Sequence, residues 1–147
     1  MKIKICSLVF SGFFLFFGVN LFSQAPVDLN WDLTRFAPET IPGRWVILYG
    51  QIEGYRVLNR VSENYEVEMT LLLAKWLDNE EIRFWRGLVT FRGEGFQEVF
   101  PVRLGANRPA SVLAPGTRVI LVAQHIGWSF EREAPQFKGA QIRSLTF

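Results

Sequence analysis

Twelve arginines against two lysines beyond residue 23 are the chemically informative side chains of this chain. The arginines sit beside aromatic residues, in Arg83-Phe84-Trp85-Arg86 and Phe91-Arg92. A guanidinium combines a flat stacking face with forked hydrogen bonding, which suits carboxylates, phosphates and protein interfaces. The other chemistry is sparse. His125 is the single histidine, and the single cysteine, Cys6, stands inside an apolar leader. A disulfide or a cysteine-ligated metal is therefore not expected in the mature chain. A histidine-based metal site would have to find its partners among carboxylates with no ligand spacing in view. Paired carboxylates occur at Asp78/Glu80/Glu81 and Glu131/Glu133, in turn-like surroundings where solvation leaves carboxyls ordinary. There is no Gly-x-Ser-x-Gly elbow and no phosphate loop. No catalytic constellation, no cofactor and no metal are expected, so the reading is of a binding module and not an enzyme.

The residues expected to bind are Arg86, Arg92, Trp128 and Arg132. With the apolar stripe Phe84, Leu88 and Phe100 they would form an aromatic and arginine surface on the outside of a sheet. Such a patch on a small domain points to a partner. The segment Ser129 to Gly139 is expected to be a loop beside this surface, and Asn59 to Asn64 another.

Residues 1–23 read as a secretory signal. Lys2 and Lys4 precede an apolar run from Ile5 to Phe22, and a cut after Ser23 would release Gln24. The alternative is an uncleaved anchor in the inner membrane, since the run is at the short end of what spans a bilayer. Either way the expected address is periplasmic or secreted. The chain carries 16 Lys plus Arg against 14 Asp plus Glu; without Lys2 and Lys4 the balance is 14 against 14. Formal neutrality speaks against nucleic acid as the ligand. An envelope protein or glycan is the expected partner, with a small-ligand or oligosaccharide barrel as the alternative and single-stranded nucleic acid or an unrecognised hydrolase behind it.

The elements that would position these residues are strands. Residues 24–43 hold three prolines with Trp31, Leu33 and Phe36, and are expected to run as an extended strap that docks through those three. From Arg44 onward, β-branched and aromatic residues alternate with polar ones. The spacing predicts strands over Trp45–Leu58, Tyr65–Trp76, Ile82–Arg92, Phe96–Leu104, Val119–Trp128 and Gln141–Phe147. The turn Gly93-Glu94-Gly95 predicts a hairpin, and a short helix is expected over Pro109–Ala114. Pairing the second and third strands so that Glu68 meets Arg92 and Met69 meets Phe91 keeps charges outside and apolar groups inside.

This order resembles the OB-fold. The segment from Ala110 to Trp128 has Leu113, Gly116 and Val119 where many OB domains have Leu-x-x-Gly-x-x-Val before a strand, and Val46 to Gly54 is similar to a bent first strand. The resemblance implies an all-β, OB-like Greek-key barrel of five to six strands with one short helix over residues 44–147, of the kind found in exported bacterial domains.

Overall fold

A computed structural model describes residues 33–77 and 80–145. The signal segment and Trp31 lie outside the described residues. Five strands form a closed barrel: β1 (Trp45–Asn59), β2 (Glu66–Trp76), β3 (Ile82–Arg92), β4 (Arg118–Ser129) and β5 (Ala134–Ser144), in the spatial order β1-β2-β3-β5-β4. Every pairing is antiparallel except β3 with β5, where Leu88, Val89 and Thr90 run parallel to Gln136, Phe137 and Lys138. This seam closes the ring.

Alternation explains the strands. Val46 and Leu48 of β1, Val67, Met69 and Leu71 of β2, Val89 and Phe91 of β3, and Val119, Leu121 and Ala123 of β4 all point inward and are buried. Their neighbours point out. β1 is long because it serves two partners. Its first half pairs with β4 and its second half with β2, and an irregularity at Glu53 marks the bend.

Three expectations change. The Phe96–Leu104 strand and the hairpin before it are absent. Gly93, at φ 126, turns the chain into α1 (Phe96–Val99), and the Phe100 N–H donates to the Phe96 carbonyl at 2.8 Å. Phe96, Val99 and Phe100 are spaced i, i+3 and i+4, the spacing of a helical face and not of a strand. Phe96 and Phe100 pack on Phe91, with ring centroids 4.9 and 5.6 Å away. The helix expected over Pro109–Ala114 is only a run of turns. The Leu113 N–H donates to the Val99 carbonyl, 2.9 Å away, instead of to a residue one turn back. Finally, the last strand begins at Ala134 and not at Gln141, so most of the expected Ser129–Gly139 loop is β5.

Strands β2 and β3 keep the expected faces but in a register two residues away. Arg92 faces Glu66, Thr90 faces Glu68 and Val89 faces Met69. The connection sets this: Trp76 pairs with Ile82, and the Leu77 N–H donates to the Glu81 carbonyl at 2.8 Å with Glu80 at φ 63. A two-residue shift preserves which side each residue faces, so the hydrophobic pattern does not discriminate against it.

Leu33 and Phe36 close one end of the barrel. A 3-10 turn, Leu33–Arg35, places Leu33 over Gly87, where an added Cβ would lie 2.6 Å from the leucine Cδ2. Glycine at 87 is what lets the leucine in. The Phe36 ring meets Phe137 edge-on at 4.8 Å and His125 at the same distance.

Candidate ligand-binding cleft

The end of the barrel that Leu33 and Phe36 close also carries a cleft of about 220 Å³ on its outer side. Phe84, Trp85 and Arg86 of β3 form one wall; Trp128 of β4 and Arg132 of the β4–β5 turn form the other, with Glu133 and Pro135 beside them. Alternation turns Phe84 and Arg86 outward, and Phe84 is 56 % exposed. Trp85 points inward but sits far enough toward the barrel end to stay half-buried. The turn after β4 is tight, with Glu133 in the left-handed region at φ 49 and the Arg132 N–H donating to Ser129 Oγ at 3.4 Å. That turn swings Arg132 back over the sheet. Past Phe84 the surface continues as a groove of about 480 Å³ over β2 and β1, with Tyr49, Leu72 and Ala74 along it.

Three of the four residues expected from the sequence, Arg86, Trp128 and Arg132, therefore line one cleft. Arg92 does not. It lies further along β3 and donates from Nη2 to Glu66 Oε2 at 3.0 Å. The expected apolar stripe breaks up as well. Phe84 is exposed, but Leu88 is buried and Phe100 lies in the core, because Phe100 belongs to the turn of α1 and not to a strand opposite β3.

The arginines are held by carboxylates: Glu68, expected opposite Arg92, serves Arg132 and Arg56 instead, and Glu53 and Glu66 were not singled out by the sequence. Arg86 donates from Nε and Nη2 to the two oxygens of Glu53, both at 2.7 Å, reaching across β2 to do so. Hydrogen bonding from Arg86 holds the Glu53 carboxyl below the usual carboxylate range, burial pushes it weakly the other way, and the guanidinium charge adds to the lowering. Arg132 Nη1 and Arg56 Nε both donate to Oε1 of Glu68, at 2.7 and 2.9 Å. Glu53, Glu66 and Glu68 occupy outward positions on β1 and β2; that parity was the signal available for them. With their edges occupied, the Arg86 and Arg132 guanidiniums offer stacking faces more readily than forks.

His125 takes no part. It is 1 % exposed, packed against Phe36 and Phe137, and neither ring nitrogen has a hydrogen-bond partner in the protein. Its burial takes away the one histidine that could have served as a general base. Glu80, Glu81, Glu131 and Glu133 are exposed, and Asp78 lies outside the described residues. Among the described residues no group of three or more His, Cys, Asp or Glu is placed to hold a metal ion.

No family model and no curated protein matches this chain. Solved structures do. PriB from Ralstonia solanacearum aligns at 11 % identity and TM-score 0.44, covering 71 % of this chain and 98 % of its own. A small single-stranded DNA-binding protein from Streptomyces coelicolor aligns at 10 % identity and TM-score 0.47, covering 71 % and 94 %. The single-stranded DNA-binding protein from Thermus aquaticus aligns at 15 % identity and TM-score 0.46, covering 71 % of this chain and 52 % of its own.

The barrel is OB-like. Its strand order, its parallel β3–β5 seam and the helix between β3 and β4 are those of that fold.

The barrel surface corrects the expected function. The sequence places nucleic acid below an envelope protein or glycan as the expected partner and gives the barrel a periplasmic or secreted address. The similar structures are PriB and single-stranded DNA-binding proteins. The bare stripe that motivated a docked envelope protein does not exist, since Leu88 and Phe100 are buried. The exported module, its periplasmic or secreted address and its envelope partner are accordingly set aside.

Proposed function

We propose that this OB-like barrel binds single-stranded nucleic acid, with bases stacking in the cleft between β3 and the β4–β5 turn. One observation carries the reading: Phe84, Trp85 and Trp128 converge there with Arg86 and Arg132. Single strands are held without sequence preference by aromatic faces that accept any base and by cations that track the backbone. The groove past Phe84, with Tyr49 at its far side, gives the strand a path across β2. OB barrels place their ligands on this side, beside the β4–β5 connection.

The ion pairs shape the binding. Arg86 and Arg132 are each held by a glutamate, so phosphate must displace a carboxylate to reach them. Stacking then supplies most of the affinity, and the salt dependence is shallow: two phosphates neutralised on a single strand give a slope of roughly −1.4 in log K against log salt.

The experiment is a titration of intrinsic tryptophan fluorescence with an oligo-deoxythymidine at low ionic strength. Saturable quenching that Trp128→Ala weakens supports the reading. Unchanged fluorescence together with no mobility shift of the labelled oligonucleotide sinks it.

A further inference from the structure

Beyond Tyr49 the barrel surface has a different character. There β1, β4 and β5 lie side by side, and their outward residues fall into cross-strand rows. Trp45 meets Gln124 and Lys138; Ile47 meets Val122 and Gln141; Tyr49 meets Ile120 and Arg143; Gln51 meets Arg118. None of these rows contains a carboxylate. Three cations, Arg118, Lys138 and Arg143, border a stripe of Ile47, Ile120 and Val122 that ends in the rings of Trp45 and Tyr49. Ile120, Trp45 and Tyr49 are exposed; the middle of the stripe holds a shallow hollow of about 160 Å³ around Ile47 and Ile120, and the groove of about 480 Å³ borders it at Tyr49 and Arg118. On the β2–β3 side, by contrast, Arg56, Arg86, Arg92 and Arg132 are each met by a glutamate.

We infer that this carboxylate-free face binds the surface of an anionic lipid bilayer. Charge complementarity demands a negative occupant. A second copy of the chain meeting the face through a two-fold axis would set the same three cations against themselves, with no acid among them to compensate. A nucleic-acid strand matches the charge but finds Ile47, Ile120 and Val122 along the stripe between the two end rings, where successive bases need flat faces. A bilayer matches each part: the aliphatic residues enter the headgroup boundary, Trp45 and Tyr49 sit at the interface where amphipathic rings concentrate, and the cations meet the lipid phosphates. The aliphatic stripe, with only a shallow hollow along it, fits a fluid surface better than a shaped protein anchor, which needs a pocket to fill.

The test uses the chain from Gln24, because the apolar run before it would bind lipid by itself. That chain keeps the whole closed barrel and the Leu33–Phe36 plug, and its folding is verified by a cooperative thermal melt. Flotation is compared with vesicles of phosphatidylcholine alone and vesicles containing phosphatidylglycerol. The barrel floats with the phosphatidylglycerol vesicles and is released by salt. Lys138→Gln with Arg143→Gln lowers that partition roughly thirtyfold, at about tenfold per 1.4 kcal/mol and ~1 kcal/mol for each cation near the surface. Ile120→Glu reduces it as well, while oligonucleotide quenching in the cleft is retained by both variants. Equal partition into both vesicle types, no partition, or flotation unaffected by the charge-removing pair overturns the inference. So does a dimer in sedimentation velocity that Ile120→Glu converts to monomer, which would assign the face to a second copy, or a soluble acidic protein that displaces the barrel at stoichiometric amounts.

Discussion

Arg132, on the β4–β5 turn, lies 2.7 Å from Glu68 on β2, with β3 running between them. The contact ties the rim of the cleft to the middle of the sheet, and Arg56 donates to the same glutamate oxygen at 2.9 Å. Glu68→Gln removes the charge that competes with phosphate for Arg132. Stability should change by about 1 kcal/mol, since the glutamine oxygen still accepts from an arginine and the guanidiniums of Arg56 and Arg132 remain in contact with solvent. Oligonucleotide affinity should rise while the salt slope stays at roughly −1.4, because the same two phosphates are neutralised and Arg132 no longer has to leave a carboxylate first. Fluorescence titrations at several salt concentrations measure both quantities.

The stacking residues give the second prediction. Phe84→Ala and Trp128→Ala each remove one face of the cleft, and each should weaken oligonucleotide binding by about 1–3 kcal/mol with the thermal midpoint nearly unchanged. Arg92→Ala, outside the cleft, should leave affinity within about 0.5 kcal/mol of wild type. Electrophoretic mobility shift with the three variants side by side separates the cleft from the rest of the strand.

Tyr65 supplies a third. Its hydroxyl, buried beneath α1, donates to the Phe100 carbonyl at 2.5 Å and so fixes the helix against the barrel. Tyr65→Phe leaves that carbonyl without its donor and should cost about 1–3 kcal/mol in urea unfolding. Burial also pushes the Tyr65 phenol above its ordinary range, only partly offset by the charge of Arg60. A phenol that holds its proton more tightly when folded gives stability below the unfolded pKa and loses it as pH rises through the folded one. Tyr65→Phe should accordingly flatten the alkaline end of the stability curve.

Glu53 behaves with the opposite sign. Its carboxyl is held below the ordinary value of 4.5 by hydrogen bonding from Arg86. The pair therefore contributes above that value and is lost as pH falls through the lowered folded pKa, when Arg86 is released from its carboxylate. In Arg86→Ala the Glu53 carboxyl should titrate back toward 4.5, which a carboxyl-carbon NMR titration reads directly.

A packing prediction completes the set. Gly139 in β5 faces inward, and a Cβ there would stand 2.2 Å from the Phe91 ring. Gly139→Ala must displace that ring from the centre of the core and should destabilise by about 1–3 kcal/mol. The denaturation midpoint should fall with an unchanged slope.

What the sequence disclosed follows from which signals are local. β1 to β4 could be read because Val46, Leu48, Val67, Met69, Val119 and Leu121 alternate without interruption. β5 could not be read over its first half, because Gly139 leaves an inward position empty and a bulge beyond it breaks the period. α1 was hidden because Phe96 and Phe100 satisfy an alternating reading as well as a helical one, and only the neighbours Phe91 and Tyr55 decide between them. At the site, Arg86, Trp128 and Arg132 could be picked out by residue type. Their glutamate partners are separated by 33 and 64 positions in the chain, so no local pattern announces them.

The parallel seam between β3 and β5 also governs how the chain reaches this shape. The antiparallel pairs β1–β2 and β2–β3 join neighbours in sequence, but the three residue pairs at Leu88–Thr90 must find a strand that arrives only after α1, the turns that follow it and all of β4. Closing that span requires entropy to be lost before any contact repays it. The barrel is thus a meander that folds early and a clasp that shuts late. Until the clasp shuts, the edges of β3 and β5 stand open, and that interval is when this molecule is most exposed to pairing with its own copies.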